Sequence, residues 1–165
     1  MRLKIFFTLL IVFALAAVAS AQTKVSGTAQ CGKADPQYSI QVGDRPNHSF
    51  AISQTKCTWT KPFEIAGIQN KEIVGTGSAE IRGNSLRGHY YDVDTMTNGD
   101  KAYYREEFSF NLKDGVPQSG DAKWTFVGGT GKLKGLKGKG TCKLTSAAPD
   151  GSVTWDCDGE YELPK

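Results

Sequence analysis

From Lys24 onward, short runs of apolar and β-branched residues alternate with clusters of turn formers, and no stretch repeats an apolar face at helical spacing. The runs, rich in Val, Ile, Thr, Tyr, Phe and Trp, cover Lys24–Cys31, Gln37–Val42, Ser49–Trp59, Lys71–Arg82, Arg87–Met96, Lys101–Asn111, Asp121–Val127, Lys139–Thr145 and Ser152–Glu162. Each reads as a strand. Asn98-Gly99, Asp114-Gly115 and Asp150-Gly151 are short-hairpin pairs that tolerate positive φ. About nine strands joined mostly by tight turns predict an all-β protein with an up-and-down antiparallel sheet. A twisted sheet of this size tends to close, because closure removes exposed edges. The expected architecture is a single closed antiparallel β-barrel of about eight strands, with a two-sheet β-sandwich as the alternative. No tandem repeat, low-complexity linker or second domain interrupts the pattern.

Alternation also assigns faces. A two-residue loop at Asn98-Gly99 sets Val93 opposite Tyr104, Tyr91 opposite Glu106 and His89 opposite Phe108. This set extends to Thr95 and Phe110 and is the more apolar, so it is expected to point inward. The other face, with Asp92 opposite Arg105, Asp94 opposite Tyr103 and Tyr90 opposite Glu107, is expected to meet water. In the last hairpin Leu144, Val153, Trp155 and Tyr161 share a face with Cys142 and Cys157, while Asp156, Asp158 and Glu160 alternate outward. Trp124 and Phe126 add a further inward pair. Gly75, Gly77 and Ala79, on one face of their strand, leave room within.

The N-terminus changes the compartment. Met1 to Lys4 is basic, Ile5 to Val18 is apolar, and Ala19-Ser20-Ala21 is a small-residue cleavage site. Residues 1–21 therefore read as a signal peptide, leaving residues 22–165 as the β-barrel domain. The apolar stretch is too short for a retained spanning helix, so no membrane span is expected in the mature chain. Export to the periplasm or the extracellular space follows. The full chain carries 20 Lys and Arg against 17 Asp and Glu. Loss of Arg2 and Lys4 brings the net charge near neutrality, which argues against a nucleic-acid partner.

Four cysteines, Cys31, Cys57, Cys142 and Cys157, lie in the exported part, where thiols oxidise. Cys142 and Cys157 are equidistant from the Pro149-Asp150-Gly151 turn, so a hairpin there brings them face to face. Cys31 and Cys57 are centred on Asp44. Cys31–Cys57 and Cys142–Cys157 are the expected disulfides. There is no Cys-x-x-Cys pair and there are only two histidines, His48 and His89, so no metal site or cofactor is expected.

Residues 128–140 hold six glycines and four lysines. A phosphate-binding loop ending at Gly131-Lys132 needs Gly where Phe126 stands and Ser or Thr where Leu133 stands. The segment reads instead as a compact barrel corner with solvated lysines. Trp124-x-Phe126 followed by Gly-Gly-Thr-Gly-x-Leu-x-Gly-Leu-x-Gly resembles the Gly-rich turn of the allene oxide cyclase and dirigent protein superfamily, closest to uncharacterised exported bacterial members. The resemblance runs from about Trp124 to Tyr161. A weaker likeness to the bacterial proteins lies in Asp92-x-Asp94 and Asn98-Gly99-Asp100. It implies an eight-stranded antiparallel barrel, and it carries no functional side chain onto this chain.

Asp92-x-Asp94 lacks the spacing of a calcium loop and reads as solvated hairpin charge. Asn47-His48-Ser49, which fits a glycosylation sequon, reads as a turn. Glu106, Tyr91 and His89 form the polar group on the expected inner face, and are the candidates for acid/base chemistry. Trp124, Phe126, Tyr104, Phe108 and Trp155 are the candidate ligand-binding residues, offering stacking surface. The leading reading is a non-catalytic exported barrel that binds a small apolar or aromatic molecule inside. The alternatives are a cyclase- or isomerase-like enzyme acting on a reactive small molecule, and an envelope or partner-binding protein that uses the Lys132–Lys143 edge.

Overall fold

The computed structural model describes residues 22–164; the leader expected over residues 1–21 lies outside them. Ten strands follow in order: β1 Thr23–Cys31, β2 Gln37–Gln41, β3 His48–Lys61, β4 Glu64–Ile65, β5 Ile68–Arg82, β6 Ser85–Met96, β7 Lys101–Lys113, β8 Val116–Gly129, β9 Lys137–Ala147 and β10 Val153–Glu162. All nine strands expected from alternation are present, and the two-residue β4 is the addition. Eight of the ten close an antiparallel barrel. Each pairs with its neighbour in sequence from β5 to β10, β10 pairs with β1, and β3 bridges β1 and β5. A sandwich is excluded by this unbroken circuit. The two extra strands, β2 and β4, prolong the wall at opposite ends through β3 and β5.

One end of the barrel is stoppered. Phe63, Ile65, Met96, Leu133 and Leu136, from the β3–β5 connection with its short β4, the end of β6 and the β8–β9 connection, meet at that end and are at most 4% exposed. The Gly-rich segment forms part of the stopper as a 3₁₀ turn over Gly131–Leu133. Gly131 takes φ +53° against the carboxylate of Asp100, which accepts the Lys132 N–H at 3.0 Å. That turn drives Leu133 and Leu136 inward and leaves Lys132, Lys134 and Lys137 in solvent, so the segment is the barrel corner its spacing suggested.

Both disulfides form as expected, Cys31–Cys57 between β1 and β3 and Cys142–Cys157 between β9 and β10. Among the described residues no helix is long and apolar enough to cross a membrane. With the two disulfides, this is compatible with an exported protein.

The β6–β7 hairpin departs from its expected register by one residue. The Met96 N–H donates to the Asp100 carbonyl at 2.8 Å, the Gly99 N–H donates to the Met96 carbonyl at 3.0 Å, and Gly99 alone has positive φ (+87°). The loop is therefore three residues, Thr97 to Gly99, closed by a glycine bulge rather than a two-residue turn. The added residue inverts the face of one strand relative to the other. Asp92 lies opposite Tyr104, Tyr90 opposite Glu106 and Gly88 opposite Phe108, all on the inner face. Tyr91 and His89, expected inside, face water opposite Arg105 and Glu107. Asp92 and Asp94, expected in solvent, are buried at 4% and 1% exposure.

Candidate functional site

The end opposite the stopper is open and leads into a cavity of about 820 Å³. Its rim comes from the β1–β2, β5–β6, β7–β8 and β9–β10 connections, through Lys33, Gly83, Asn84, Asp114, Gly115 and Gly151. Below the rim the wall is aromatic on β6, β7, β8 and β10, whereas β2 and β3 line it with Gln37, Ser39, Gln41, Ser49, Ser53 and Thr55. Phe110 packs on Trp155 at 5.3 Å between ring centres, and Phe108 meets both Phe110 (5.7 Å) and Tyr90 (5.0 Å) edge-on. Deeper, Trp124 contacts Phe126 at 4.9 Å, and Phe126 meets Tyr104 edge-on at 5.7 Å. Trp124, Phe126, Tyr104, Phe108 and Trp155 thus all line the cavity, as alternation placed them.

Glycines make room for these rings. A Cβ on Gly140 or Gly159, paired across β9 and β10, would collide with the Trp124 indole. Gly75 and Gly77 do not leave empty space as expected. The Tyr90 ring fills it, and the phenol oxygen reaches Ser53 Oγ at 2.6 Å and Thr55 Oγ1 at 3.2 Å.

Three carboxyl groups converge at the deep end. Asp94 is nearest the stopper, and accepts hydrogen bonds from Asn70 Nδ2 and from the Trp59 indole N–H, the latter at 3.2 Å. Asp92 follows one pleat higher, with Oδ2 buried and unpartnered. Glu106 is enclosed by protein yet half-exposed to the cavity itself. The only base among the described lining residues is Lys33, at the mouth. Buried carboxylates without cationic partners hold their protons. Burial first, then the charges of Glu106 and Asp94, push Asp92 up to about 9. Burial pushes Asp94 up to about 8, against the opposing pull of the Asn70 and Trp59 hydrogen bonds. Burial alone pushes Glu106 up to about 7. Burial and the same three acids raise the Tyr104 phenol. At neutral pH Asp92 and Asp94 are thus largely protonated and able to donate hydrogen bonds, while Glu106 exchanges its proton in that range.

Of the expected acid/base group, Glu106 alone faces the cavity; Tyr91 and His89 are on the outer wall. The residues that join Glu106 are Asp92, Asp94, Tyr90 and Tyr104. Asp92 and Asp94 were hidden in the sequence by the extra loop residue, and the sign that reveals them is Gly99 as a lone left-handed residue. No Cys, His, Asp or Glu grouping among the described residues is arranged to hold a metal ion.

No protein-family profile and no curated protein matches this chain in sequence. Solved structures do share its fold. The pterocarpan synthase dirigent protein GePTS1 superposes with a TM-score of 0.52 at 13% identity, covering 98% of this chain and all of that one. A second pterocarpan synthase dirigent protein, PsPTS1, gives 0.51 at 14%, covering 88% and 97%. A DUF3224-family protein of unknown function from Shewanella oneidensis MR-1 gives 0.50 at 15%, covering 87% and 100%. The chain therefore has the barrel fold of the dirigent proteins, found also in a bacterial family of unknown function.

Proposed function

We propose that this chain is an exported binding protein that takes one small, largely aromatic molecule into its barrel and holds a polar end of it against the acids at the floor. The observation that carries the reading is the open cavity itself. Trp, Tyr and Phe rings form one side of its wall, and at its deep end an Asp92 oxygen has no partner within the protein. An unpaired buried carboxyl oxygen costs stability, and a ligand hydroxyl, amine or carbonyl is what would pair it. Ring faces supply the apolar contact, and the open end of the barrel is the route by which a ligand enters.

A titration with neutral N-phenyl-1-naphthylamine tests the reading. Saturable binding of one probe per chain, with energy transfer from the interior tryptophans, is expected. Leu86→Trp, at the rim, narrows the entrance and should weaken binding at least tenfold without lowering the thermal transition. Absence of saturable binding overturns the proposal.

A second reading rests on the protonation of the floor. Asp92 and Asp94, largely protonated at physiological pH, and Glu106, which exchanges its proton near neutrality, would pass a proton to or from a bound molecule, and the barrel would hold it folded for cyclisation or isomerisation. Two of the structurally similar barrels are pterocarpan synthase dirigent proteins. In this reading Glu106→Gln abolishes turnover while probe binding persists; in the binding reading it alters affinity alone.

A further inference from the structure

We propose that the outer face of β2 and β3 is an interface between two copies of this chain. Seven large apolar side chains among the described residues are notably exposed, and five of them lie here: Tyr38 (71%), Ile40 (76%), Val42 (44%), Phe50 (52%) and Ile52 (63%). The pairing places them together. Tyr38 lies opposite Ile52 and Ile40 opposite Phe50, on the side of the sheet away from the cavity. Gln37, Ser39 and Gln41 of β2 face the cavity instead. This strand thus inverts the usual arrangement, showing polar groups to the interior and apolar ones to solvent. Its sequence, Gln37 to Gln41, carries no charge that would guard an exposed strand. Contiguous exposed apolar surface of this kind marks a contact site.

Size and charge select a second copy as the occupant. Applied to side chains of roughly 150–200 Å² each, these exposures leave about 500 Å² of apolar surface per copy, or about 1,000 Å² across two, where stable interfaces begin. A two-fold contact must be complementary to itself. The rim meets that condition because it carries both signs. Asp44 pairs with Arg45 at 2.8 Å, and Glu80 contacts both Arg82 and His48. His48 in turn supports the patch, its ring 5.9 Å from Phe50. A wholly acidic or basic rim would repel its own copy, whereas here the acids of one copy can face the arginines of the other. Sheet-on-sheet packing then buries the five side chains about the axis. The contact would also brace β2, a lip of the cavity whose only sheet partner among the described residues is β3.

The test uses residues 22–165, which include every described strand, in sedimentation equilibrium at 1–100 µM. A dimer is expected. Ile40→Lys should shift it to monomer with an unchanged circular dichroism spectrum, because the position is three-quarters exposed in the single chain; its thermal transition should fall by no more than the lost association accounts for. Tyr91→Lys, on the outer wall elsewhere, should leave the dimer intact. A wild-type chain that is monomeric at 100 µM overturns the proposal, as does a dimer that survives Ile40→Lys. Should the monomer instead co-sediment with phosphatidylcholine vesicles, the patch is a lipid-contacting face and the self-association is refuted.

Discussion

Asp92 concentrates the chemistry of this molecule in one side chain. Its carboxyl lies among rings, beside two other acids, with one oxygen unpaired. Acids whose folded-state proton affinity is raised stabilise the fold fully below the ordinary carboxylate range, and that stability is lost as pH rises through the raised values. Asp92, Asp94 and Glu106 act in that direction together, so the thermal transition should fall progressively from about pH 5 to about pH 9. Asp92→Asn, which cannot ionise, should raise the transition at pH 8–9, leave it near wild type at pH 5, and flatten the profile. Asp44, Glu80 and Asp150 act oppositely. Hydrogen bonds from His48 to Asp44 and Glu80, and from Ser152 to Asp150, hold these surface carboxyls below their ordinary values. Their contribution is present above the carboxylate range and lost at more acid pH. Calorimetry from pH 3 to pH 9 separates the two sets. Tyr90→Phe, which deletes the Ser53 and Thr55 hydrogen bonds, should cost about 1 kcal/mol.

Strands and turns carry the next level of the argument. The Trp124 indole lies on the Gly140–Gly159 pair, and the Asp158 carbonyl of β10 also abuts Gly140, so Gly140→Val forces both the ring and the β9–β10 ladder to move. A loss of about 1–3 kcal/mol in urea unfolding is expected, with a shift in tryptophan emission. Replacing Cys142 and Cys157 by Ala frees a segment of 15-residue separation, and should cost about 3 kcal/mol. Alternation locates nine strands and the aromatic inner face of β7 and β8, because period-two patterning survives small errors in strand ends, and symmetry about the turns at Asp44 and Pro149-Asp150-Gly151 supplies the cysteine pairs. Alternation fails between β6 and β7, where one loop residue decides the face. Asn-Gly is the signature of a two-residue turn, but here Met96 pairs with Asp100 and only Gly99 is left-handed. A two-residue turn therefore points Tyr91 and His89 inward and Asp92 and Asp94 outward, the reverse of the faces they take. The apolar count of the two faces could not correct this, because the true inner face contains three acids. β4 escaped notice because two residues show no periodicity.

Taken whole, the described residues form a one-ended vessel: stoppered by Phe63, Ile65, Met96, Leu133 and Leu136, walled by rings on one side and by Gln, Ser and Thr on the other, floored by acids, open through four loops. The fold is shared with dirigent proteins at identities too low to transfer chemistry, so the contents of the vessel must be found on this chain. Trp124 offers the reporter. Its indole N–H is buried and unpartnered in the free protein, and it lies deep in the cavity, whereas Tyr91 and His89 lie outside. Chemical-shift mapping of the isotope-labelled chain during titration with N-phenyl-1-naphthylamine reads both sites at once. Movement of the Trp124 and Trp155 indole resonances to a one-to-one endpoint, with His89 and Tyr91 unmoved, is the predicted result. Shifts confined to the outer wall, or none at saturating probe, would contradict a ligand chamber within the barrel.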